Sequence, residues 1–220
     1  MLKLDNNGKI SDCEFGDYLE FCILLFSDIS CDFWAITEIT WAKERGITKG
    51  YPDGTYRPFD PIKRDAMAAF LIRALGHGDN PYCDKQGKPC KDTHPYFKDV
   101  DQSQPFFAHI QKLYELGITK GWPDGTYRPY ENIRRDAMAA FLIRALGYGD
   151  NPVCEGGIPC KDTQPYFIDV PPTHPFYKHI QKLKETGITR GCQSNPPMFC
   201  PDSYVTRDAM AVFLYRAFGD

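Results

Sequence analysis

The clearest hydrophobic pattern in the chain is a segment that occurs three times. Residues 64–76 read RDAMAAFLIRALG, residues 135–147 repeat them without change, and residues 207–219 are a close variant. Read as a helix, the first copy carries apolar side chains on all sides, and only Arg73 is plainly solvated. Helices that are apolar all round are normally buried. The pattern therefore predicts three buried helices that pack on one another at the centre of a single body.

A second helix is predicted before each buried one. These helices are expected at residues 34–45, 105–116 and 175–186. In the middle one, Ile110, Leu113 and Tyr114 form one helical face. A glycine follows each helix, as is typical of helix C-termini. In the first two copies the loop continues into a Pro-Asp-Gly turn, whose flanks favour a short hairpin. In the third copy Cys192 replaces the aromatic residue before the turn, so we expect this turn to differ.

The period of the repeat divides the chain into an extension and three units. Phe-x-Asp openings occur at Phe26, Phe97 and Phe167, with offsets of 71 and 70 residues. A period of this length indicates structural units that share one body. We therefore predict a mainly α fold with an extension and three units at residues 1–25, 26–96, 97–166 and 167–220. Residues of the types that cap free helix amides are expected to begin the buried helices: Asp60, Asn132 and Thr206.

Six of the nine cysteines form short local pairs. The pairs are Cys83 with Cys90, Cys154 with Cys160, and Cys192 with Cys200. The first two recur at matching places in loops with proline and glycine, which is typical of disulfide-clipped loops in exported proteins. Metal binding is the alternative, although the spacing is wider than in zinc knuckles. Cys13, Cys22 and Cys31 remain, an odd number, so the sequence leaves open whether one is free or bonds to another chain.

The extension at residues 1–25 carries a partial calcium-binding pattern. Asp5, Asn7 and Glu14 are spaced like the second half of an EF-hand loop, with Glu14 at its last position. Lys3 would then occupy the first ligand position, where it cannot bind calcium. The alternative is an Asn-Gly turn that leads into a helix at residues 12–26. The apolar run within that helix needs a surface to bury it, either on the repeat units or on a neighbouring subunit.

Together these motifs resemble the S-layer homology domain family, which usually occurs as three tandem copies in bacterial cell-surface proteins. The likeness covers residues 26–219 and rests on the Phe-x-Asp-Val opening, the Gly-Ile-Thr-x-Gly loop and the Asp-Gly-Thr-Tyr-Arg-Pro turn. The resemblance implies a pseudo-trimeric, three-pronged body around a central three-helix bundle. It also implies an extracellular place on the bacterial surface, and binding of a cell-wall-linked polysaccharide, often pyruvylated, in grooves between prongs.

The family signature at the start of the central helix is close to Ile-Thr-Arg-Ala-Glu. Its arginine is kept as Arg64, Arg135 and Arg207, whereas alanine replaces the glutamate. A cation in the first turn of a helix opposes the helix dipole, so we expect an anion beside each arginine. A carboxylate-bearing sugar would suit both the arginine and free helix amides. The alternative is an internal ion pair, with the aspartate that follows each arginine or with Asp53 and Asp124 in the turns.

Aromatic and histidine side chains lie close to these arginines in sequence. Tyr51 and Trp122 precede the turns and are candidates to stack on sugar rings, whereas Tyr56 and Tyr127 are expected to pack inside the units. In the third unit Cys192 takes the place of the aromatic residue, so we expect its groove to be altered or inactive. His109 and His179 occupy matching places, and we expect them at the surface or facing a partner. No histidine cluster has metal-ligand spacing.

Several function classes find no support in the sequence. A net charge of −3 is not the footprint of a nucleic-acid-binding protein, and no apolar window is long enough for a membrane span. No nucleophile elbow, phosphate loop or zinc motif stands out from the repeat, so we expect no catalysis and no cofactor beyond the calcium considered above. Two functions remain: binding of cell-wall polysaccharide, or self-assembly into a surface layer or extracellular filament through the N-terminal segment.

Overall fold

The computed structural model describes residues 26–83 and 87–219, and this part of the chain is mainly helical. Its six α-helices are α1 (Ile36–Glu44), α2 (Arg64–Ala74), α3 (Phe107–Glu115), α4 (Arg135–Ala145), α5 (Tyr177–Glu185) and α6 (Arg207–Phe218). Three short 3₁₀ segments lie at Cys90–Asp92, Glu155–Gly157 and Cys160–Asp162. The prediction of two helices in each unit is confirmed. The predictions made for Asp5, Asn7, Glu14, Cys13 and Cys22 lie outside the described residues, as do residues 12–25 of the predicted N-terminal helix; its last residue, Phe26, is not helical.

The buried helices α2, α4 and α6 supply the core. Met67, Met138 and Met210 are fully buried at equivalent positions, and one continuous apolar cluster includes all three. Each amphipathic helix packs on a buried helix of another unit: α3 on α2, α5 on α4 and α1 on α6. The apolar face of every unit is therefore covered by its neighbour, which explains why helices without a polar side are stable here.

A closed cycle of backbone hydrogen bonds joins the segments that precede the buried helices. The Ile62 amide donates to the Val205 carbonyl at 2.9 Å, and the Val205 amide donates to the Ile133 carbonyl at 2.9 Å. The Ile133 amide completes the cycle by donating to the Ile62 carbonyl at 3.0 Å. Each segment thus donates to one unit and accepts from the other.

The predicted side-chain caps at Asp60 and Asn132 are wrong. The caps are Lys63, Arg134 and Thr206, and none of them makes a capping side-chain hydrogen bond. Carbonyl groups of another unit take the first helix amides instead. In α2 these are the carbonyls of Glu131 and Pro129, at 2.9 and 3.0 Å from the amides of Arg64 and Asp65. In α4 and α6 the carbonyls come from Ser203, Pro201, Asp60 and Pro58. Because these backbone groups satisfy the free amides, a capping side chain is not needed.

The aspartate of each Phe-x-Asp opening holds the end of a turn. The Asp99 carboxylate accepts hydrogen bonds from the amides of Tyr127 and Arg128 at 2.8 and 2.7 Å. Arg128 has a φ of +61°, which is unfavourable for a residue with a side chain. Asp28 and Asp169 make the equivalent pairs of hydrogen bonds. The opening motif therefore stabilises a strained backbone position in every unit.

The turn of the third unit differs from the other two, as predicted. In the first two units the turn is closed by a backbone hydrogen bond. The amide of Tyr51 or Trp122 donates to the carbonyl four residues later, at 2.8 Å in both cases. In the third unit Cys192 donates to the carbonyl of Met198, six residues on. Two short antiparallel strands form within this longer loop, β1 (Gln193–Ser194) and β2 (Pro197–Met198).

The three predicted disulfide bonds are present: Cys83–Cys90, Cys154–Cys160 and Cys192–Cys200. Cys31 is disulfide-bonded as well. The first two bonds close the loops between units, and the third joins the two ends of the altered turn. In residues 26–83 and 87–219, no helix has the length and apolar composition that crossing a membrane requires.

Two glycines of the second unit allow the turn geometry to be tested. Gly121 has a φ of +67°, and a Cβ there would lie 2.3 Å from the Phe97 ring and 2.7 Å from the Thr126 carbonyl. Gly117 has a similar φ of +70° but open space around it. Gly117→Ala is expected to lower the free energy of unfolding by about 1–2 kcal/mol through backbone strain alone. Gly121→Ala should lower the free energy of unfolding by about 1–3 kcal/mol more than Gly117→Ala does, because the Phe97 ring must move.

Urea denaturation of both variants measures this difference. Equal losses of stability would contradict the close approach of Gly121 to the Phe97 ring.

Candidate functional site

Each of the three predicted arginines reaches into another unit. The Nε group of Arg64 donates to the Tyr127 carbonyl at 2.8 Å, and the Tyr127 hydroxyl donates back to the Arg64 carbonyl at 2.8 Å. Arg207 and Tyr56 form the same reciprocal pair at 2.7 Å. In the third pair, Arg135 donates to the carbonyl of Phe199, which has no hydroxyl. The expected packing of Tyr56 and Tyr127 is confirmed, since both are fully buried.

Aromatic rings lie against the guanidinium groups. The guanidinium carbon of Arg64 is 4.7 Å from the Tyr127 ring centroid and 5.5 Å from that of Phe141. Arg207 lies 4.8 Å from the ring of Tyr51, which sequence analysis selected as a sugar-stacking candidate. Such contacts attract a cation electrostatically and hold its plane in place. They fix the orientation of each arginine before any ligand arrives.

The internal ion pair that the sequence left open is not formed between the described residues. Asp53 pairs with Arg57 at 2.8 Å and Asp124 with Arg128 at 3.2 Å, both inside their own turns. The carboxylate of Asp65 accepts from the amide of Ala66 and from the side chain of Gln104. The expectation of free helix amides is also wrong, because carbonyls of another unit occupy them. A backbone carbonyl and aromatic faces therefore offset the unfavourable position of the arginine on the helix dipole.

Asp53 and Asp124 act through the arginine beside them. The Arg57 guanidinium lies 4.0 Å over the Tyr51 ring, and that of Arg128 lies 4.0 Å over the Trp122 ring. Hydrogen bonds from Thr55 and Arg57 lower the pKa of Asp53 to about 2. Each turn aspartate thus holds an arginine against one face of the aromatic residue that precedes the turn.

A groove of about 840 Å³ brings residues of all three units together. Arg64 comes from the first unit, Trp122 from the second and Tyr204 from the third. Trp122 is 42% exposed and Tyr204 is 55% exposed, so both offer ring surface to a ligand. The charged side chains that line the groove are Arg64, Lys120, Arg134, Arg144, Glu131 and Asp136. Arg64 and Trp122 were separate candidates in the sequence, and the structure places them in one groove.

Comparison with known proteins identifies the repeated element. Residues 26–68 and 96–139 match the S-layer homology domain. Two segments of this chain are S-layer homology domains.

Curated relatives of the chain are bacterial proteins with much longer sequences. "Cell surface glycoprotein 1" of Acetivibrio thermocellus is 33% identical over 126 residues, which cover 56% of this chain and 5% of that protein. The "Cellulosome-anchoring protein" of the same organism is 30% identical over 174 residues, or 74% of this chain and 35% of the relative. A "Cell surface protein" of Thermoanaerobacter kivui is 30% identical over 207 residues, or 88% and 23%. The chain spans about a third or less of the length of these relatives.

The third unit lies outside the two matched segments, yet it makes contacts equivalent to those within the S-layer homology domains. The carboxylate of Asp169 accepts from the amides of Phe199 and Cys200 at 2.8 and 2.7 Å, as Asp99 does in the second domain. Cys200 has a φ of +56°, close to that of Arg128. The aspartate of the third unit therefore holds its turn in the same way, although the sequence of this turn has diverged.

The expectation that His109 and His179 lie at the surface is wrong. They are only 4% and 2% exposed, on the faces of α3 and α5 that pack against the buried helix of the preceding unit. Burial lowers the pKa of each histidine to about 4, and the nearby Arg73 or Arg144 acts in the same direction. Their spacing could have revealed this, since His109 is four residues before the core residue Leu113 and thus on the same helical face.

An ionic cluster lies beside each histidine and was not predicted from the sequence. Asp79 accepts from the Lys49 Nζ group at 2.6 Å and from the Arg73 Nε group at 2.7 Å. Asp150 likewise binds Lys120 and Arg144. These partners are 30 and 6 residues apart in sequence, so only the tertiary structure brings them together. With a neutral histidine, each cluster carries one surplus positive charge.

The buried histidines predict a loss of stability in acid. Their folded pKa of about 4 lies below the usual value of 6.5, so the unfolded chain binds protons first as the pH falls. Stability should be complete above pH 6.5 and decline between pH 6.5 and 4, by on the order of 2–3 kcal/mol for each histidine. Urea denaturation across this range measures the decline.

The double variant His109→Gln/His179→Gln is the control, because it keeps every carboxylate that titrates nearby. It should flatten the pH dependence between pH 6.5 and 4, whatever its stability at neutral pH. An unchanged slope would show that other groups cause the acid sensitivity.

Proposed function

We propose that this chain is an extracellular, non-catalytic module that attaches to a cell-wall-linked polysaccharide at the bacterial surface. The observation that carries the proposal is the groove in which Arg64, Trp122 and Tyr204 converge from three units. The relatives include an anchoring protein and cell surface proteins, which supports attachment to the wall.

The groove suits an acidic sugar chemically. Arg64 is only 7% exposed, and its Nε group and its plane are already held by Tyr127. Within the described residues its two terminal amino groups have no hydrogen-bond acceptor, so they are available as a preorganised pair of donors. Among the cations that line the groove, Lys120 and Arg144 pair with Asp150 and Arg134 pairs with Asp136. Among the described residues Arg64 has no carboxylate partner, and it is the cation that we expect to bind an anionic ligand such as a pyruvylated sugar. The exposed rings of Trp122 and Tyr204 offer the apolar surface on which a sugar ring can stack.

We further propose that the third unit is a third S-layer homology domain and that the body is a three-pronged pseudo-trimer. The cyclic hydrogen bonds through Ile62, Ile133 and Val205 support this arrangement, because each unit makes equivalent contacts with the other two. The packing of α1 on α6 closes the same cycle between the ends of the described chain.

The assignment as non-catalytic rests on the roles of the repeated acidic residues. Asp28 holds a turn, Asp53 holds an arginine against an aromatic ring, and Asp79 joins two cations. Their equivalents in the second unit do the same. Each of these carboxylates is thus engaged in the scaffold. Calcium binding by Asp5, Asn7 and Glu14 stays a prediction for the N-terminal extension.

Co-sedimentation with cell walls of the source bacterium tests wall attachment. Trp122→Ala should weaken binding about tenfold, the effect of removing one central aromatic contact. Tyr82→Ala is the matched control, because Tyr82 is an exposed aromatic residue (59%) in a loop between units, away from the groove. Walls stripped of their attached polysaccharide should bind neither the parent protein nor the variants.

Two outcomes would overturn the proposal: undiminished binding by Trp122→Ala, or equal binding to stripped walls. Arg64→Lys supplies a second variant, which keeps the charge and loses the paired donors. Circular dichroism establishes that each variant is folded before its binding is compared.

Self-assembly into a layer or filament is the second candidate function. A cluster of exposed aromatic rings favours it: Phe59 is 69% exposed and Trp34 is 60% exposed, and both lie near Phe33. Apolar patches of this kind often mark interfaces between proteins. Sedimentation velocity should then show larger species as concentration rises, and Phe59→Ser should reduce them. A single monomeric species at all concentrations would rule out assembly through this patch.

A further inference from the structure

In each of the first two units, a lysine and an arginine together bind one aspartate carboxylate. In the first unit Lys49 and Arg73 hold the two oxygens of the Asp79 carboxylate, one oxygen each. In the second unit Lys120 and Arg144 hold Asp150 in the same way. A second hydrogen bond orients each arginine, from Nη1 to the carbonyl of Ile47 or Ile118 at 3.1 and 3.2 Å. The pair of cations is thus a receptor for one carboxylate.

The third unit has the same two cations at the same positions. Arg190 corresponds to Lys49 and Lys120 in the Gly-Ile-Thr-x-Gly loop, and Arg216 corresponds to Arg73 and Arg144 in the buried helix. The Nη1 group of Arg216 donates to the Ile188 carbonyl at 3.2 Å, so its guanidinium is oriented as in the other units. Within the described part of the chain, neither arginine has an ion-pair partner, and the Arg216 Nε group has no acceptor.

The surroundings of this pair are cationic. Burial lowers the pKa of Arg216, and the positive charge of Arg190 lowers it further. Glu38 occupies the position that His109 and His179 occupy in the other units. Its charge acts in the opposite direction on Arg216, but it forms no ion pair with either arginine. One negative charge therefore faces two positive charges.

We propose that Arg190 and Arg216 form a binding site for a carboxylate group supplied by a ligand. The geometry is that of Asp79 and Asp150, with one carboxylate oxygen on Arg190 and the other on the Nε group of Arg216. The corresponding cations of the second unit, Lys120 and Arg144, line the groove of about 840 Å³ to which all three units contribute. Arg190 is itself exposed to solvent.

Two sources can supply this carboxylate, and the experiment must distinguish them. One is the carboxylate of a soluble or polymeric acid, for which glucuronate is a suitable probe. The other is the side-chain carboxylate of Asp220, which lies outside the described residues. The inference does not depend on wall attachment, because the site is tested with the probe alone.

Nuclear magnetic resonance of arginine Nε–H groups provides the test, with the full chain labelled with ¹⁵N-arginine. Titration with glucuronate at low ionic strength should shift the Arg216 signal in a saturable manner. The signals of Arg73 and Arg144 serve as internal controls and should stay in place, because aspartates already occupy their Nε groups. Glucose, which has no carboxylate, should shift none of them.

Matched variants sharpen the result. Arg190→Gln, an exposed substitution, should weaken the response of Arg216 about fivefold. Asp79→Asn should make Arg73 respond to glucuronate, because it frees the equivalent pair in the first unit.

Three outcomes would overturn the proposal. The first is an Arg216 signal that does not respond in the parent chain. The second is an equal shift of all three arginines, which indicates general ion binding. The third is a response that appears only in Asp220→Asn, which would mean that the chain's own carboxylate fills the site.

Discussion

The closed cycle of backbone hydrogen bonds through Ile62, Ile133 and Val205 is the constraint on which the rest of the structure depends. It places the carbonyls of one unit over the first amides of a buried helix in another. Buried amides must be paired, and a single unit cannot pair its own. The apolar faces of α2, α4 and α6 are likewise covered only when the other units are present. The three units are therefore expected to fold cooperatively.

The same constraint positions the arginines at the boundaries between units. Each arginine at the start of a buried helix is held by the turn of another unit, so a carbonyl and an aromatic ring set its position. The groove that contains Trp122 consequently draws residues from all three units, with Arg64 from the first and Tyr204 from the third. The three boundaries between units have equivalent backbone hydrogen bonds but differ in their side chains. Asp79 and Asp150 hold paired cations at two of them, whereas Glu38 faces Arg190 and Arg216 at the third.

Features that depend on neighbours in sequence were predictable. The helices follow from hydrophobic periodicity, the disulfide bonds from short pairs of cysteines, and the altered third turn from the loss of Asp-Gly before Met198. Predictions failed where the partner came from another unit. Asp60 and Asn132 are not caps because distant carbonyls serve instead. The arginines form no ion pair with nearby aspartates because a distant carbonyl and ring compensate their charge.

The sequence by itself determined the repeat, the helices, the disulfide bonds and the residue types at each boundary, because local periodicity and internal comparison carry that information. Only the tertiary structure decided which residues meet. Arg64 and Trp122 are 58 positions apart, and they share a groove because backbone hydrogen bonds between units set the register of the helices. His109 was expected at the surface, yet it is buried, because the face of α3 that carries it packs against α2 of another unit. Contacts of this kind depend on the arrangement of units, which no single unit encodes.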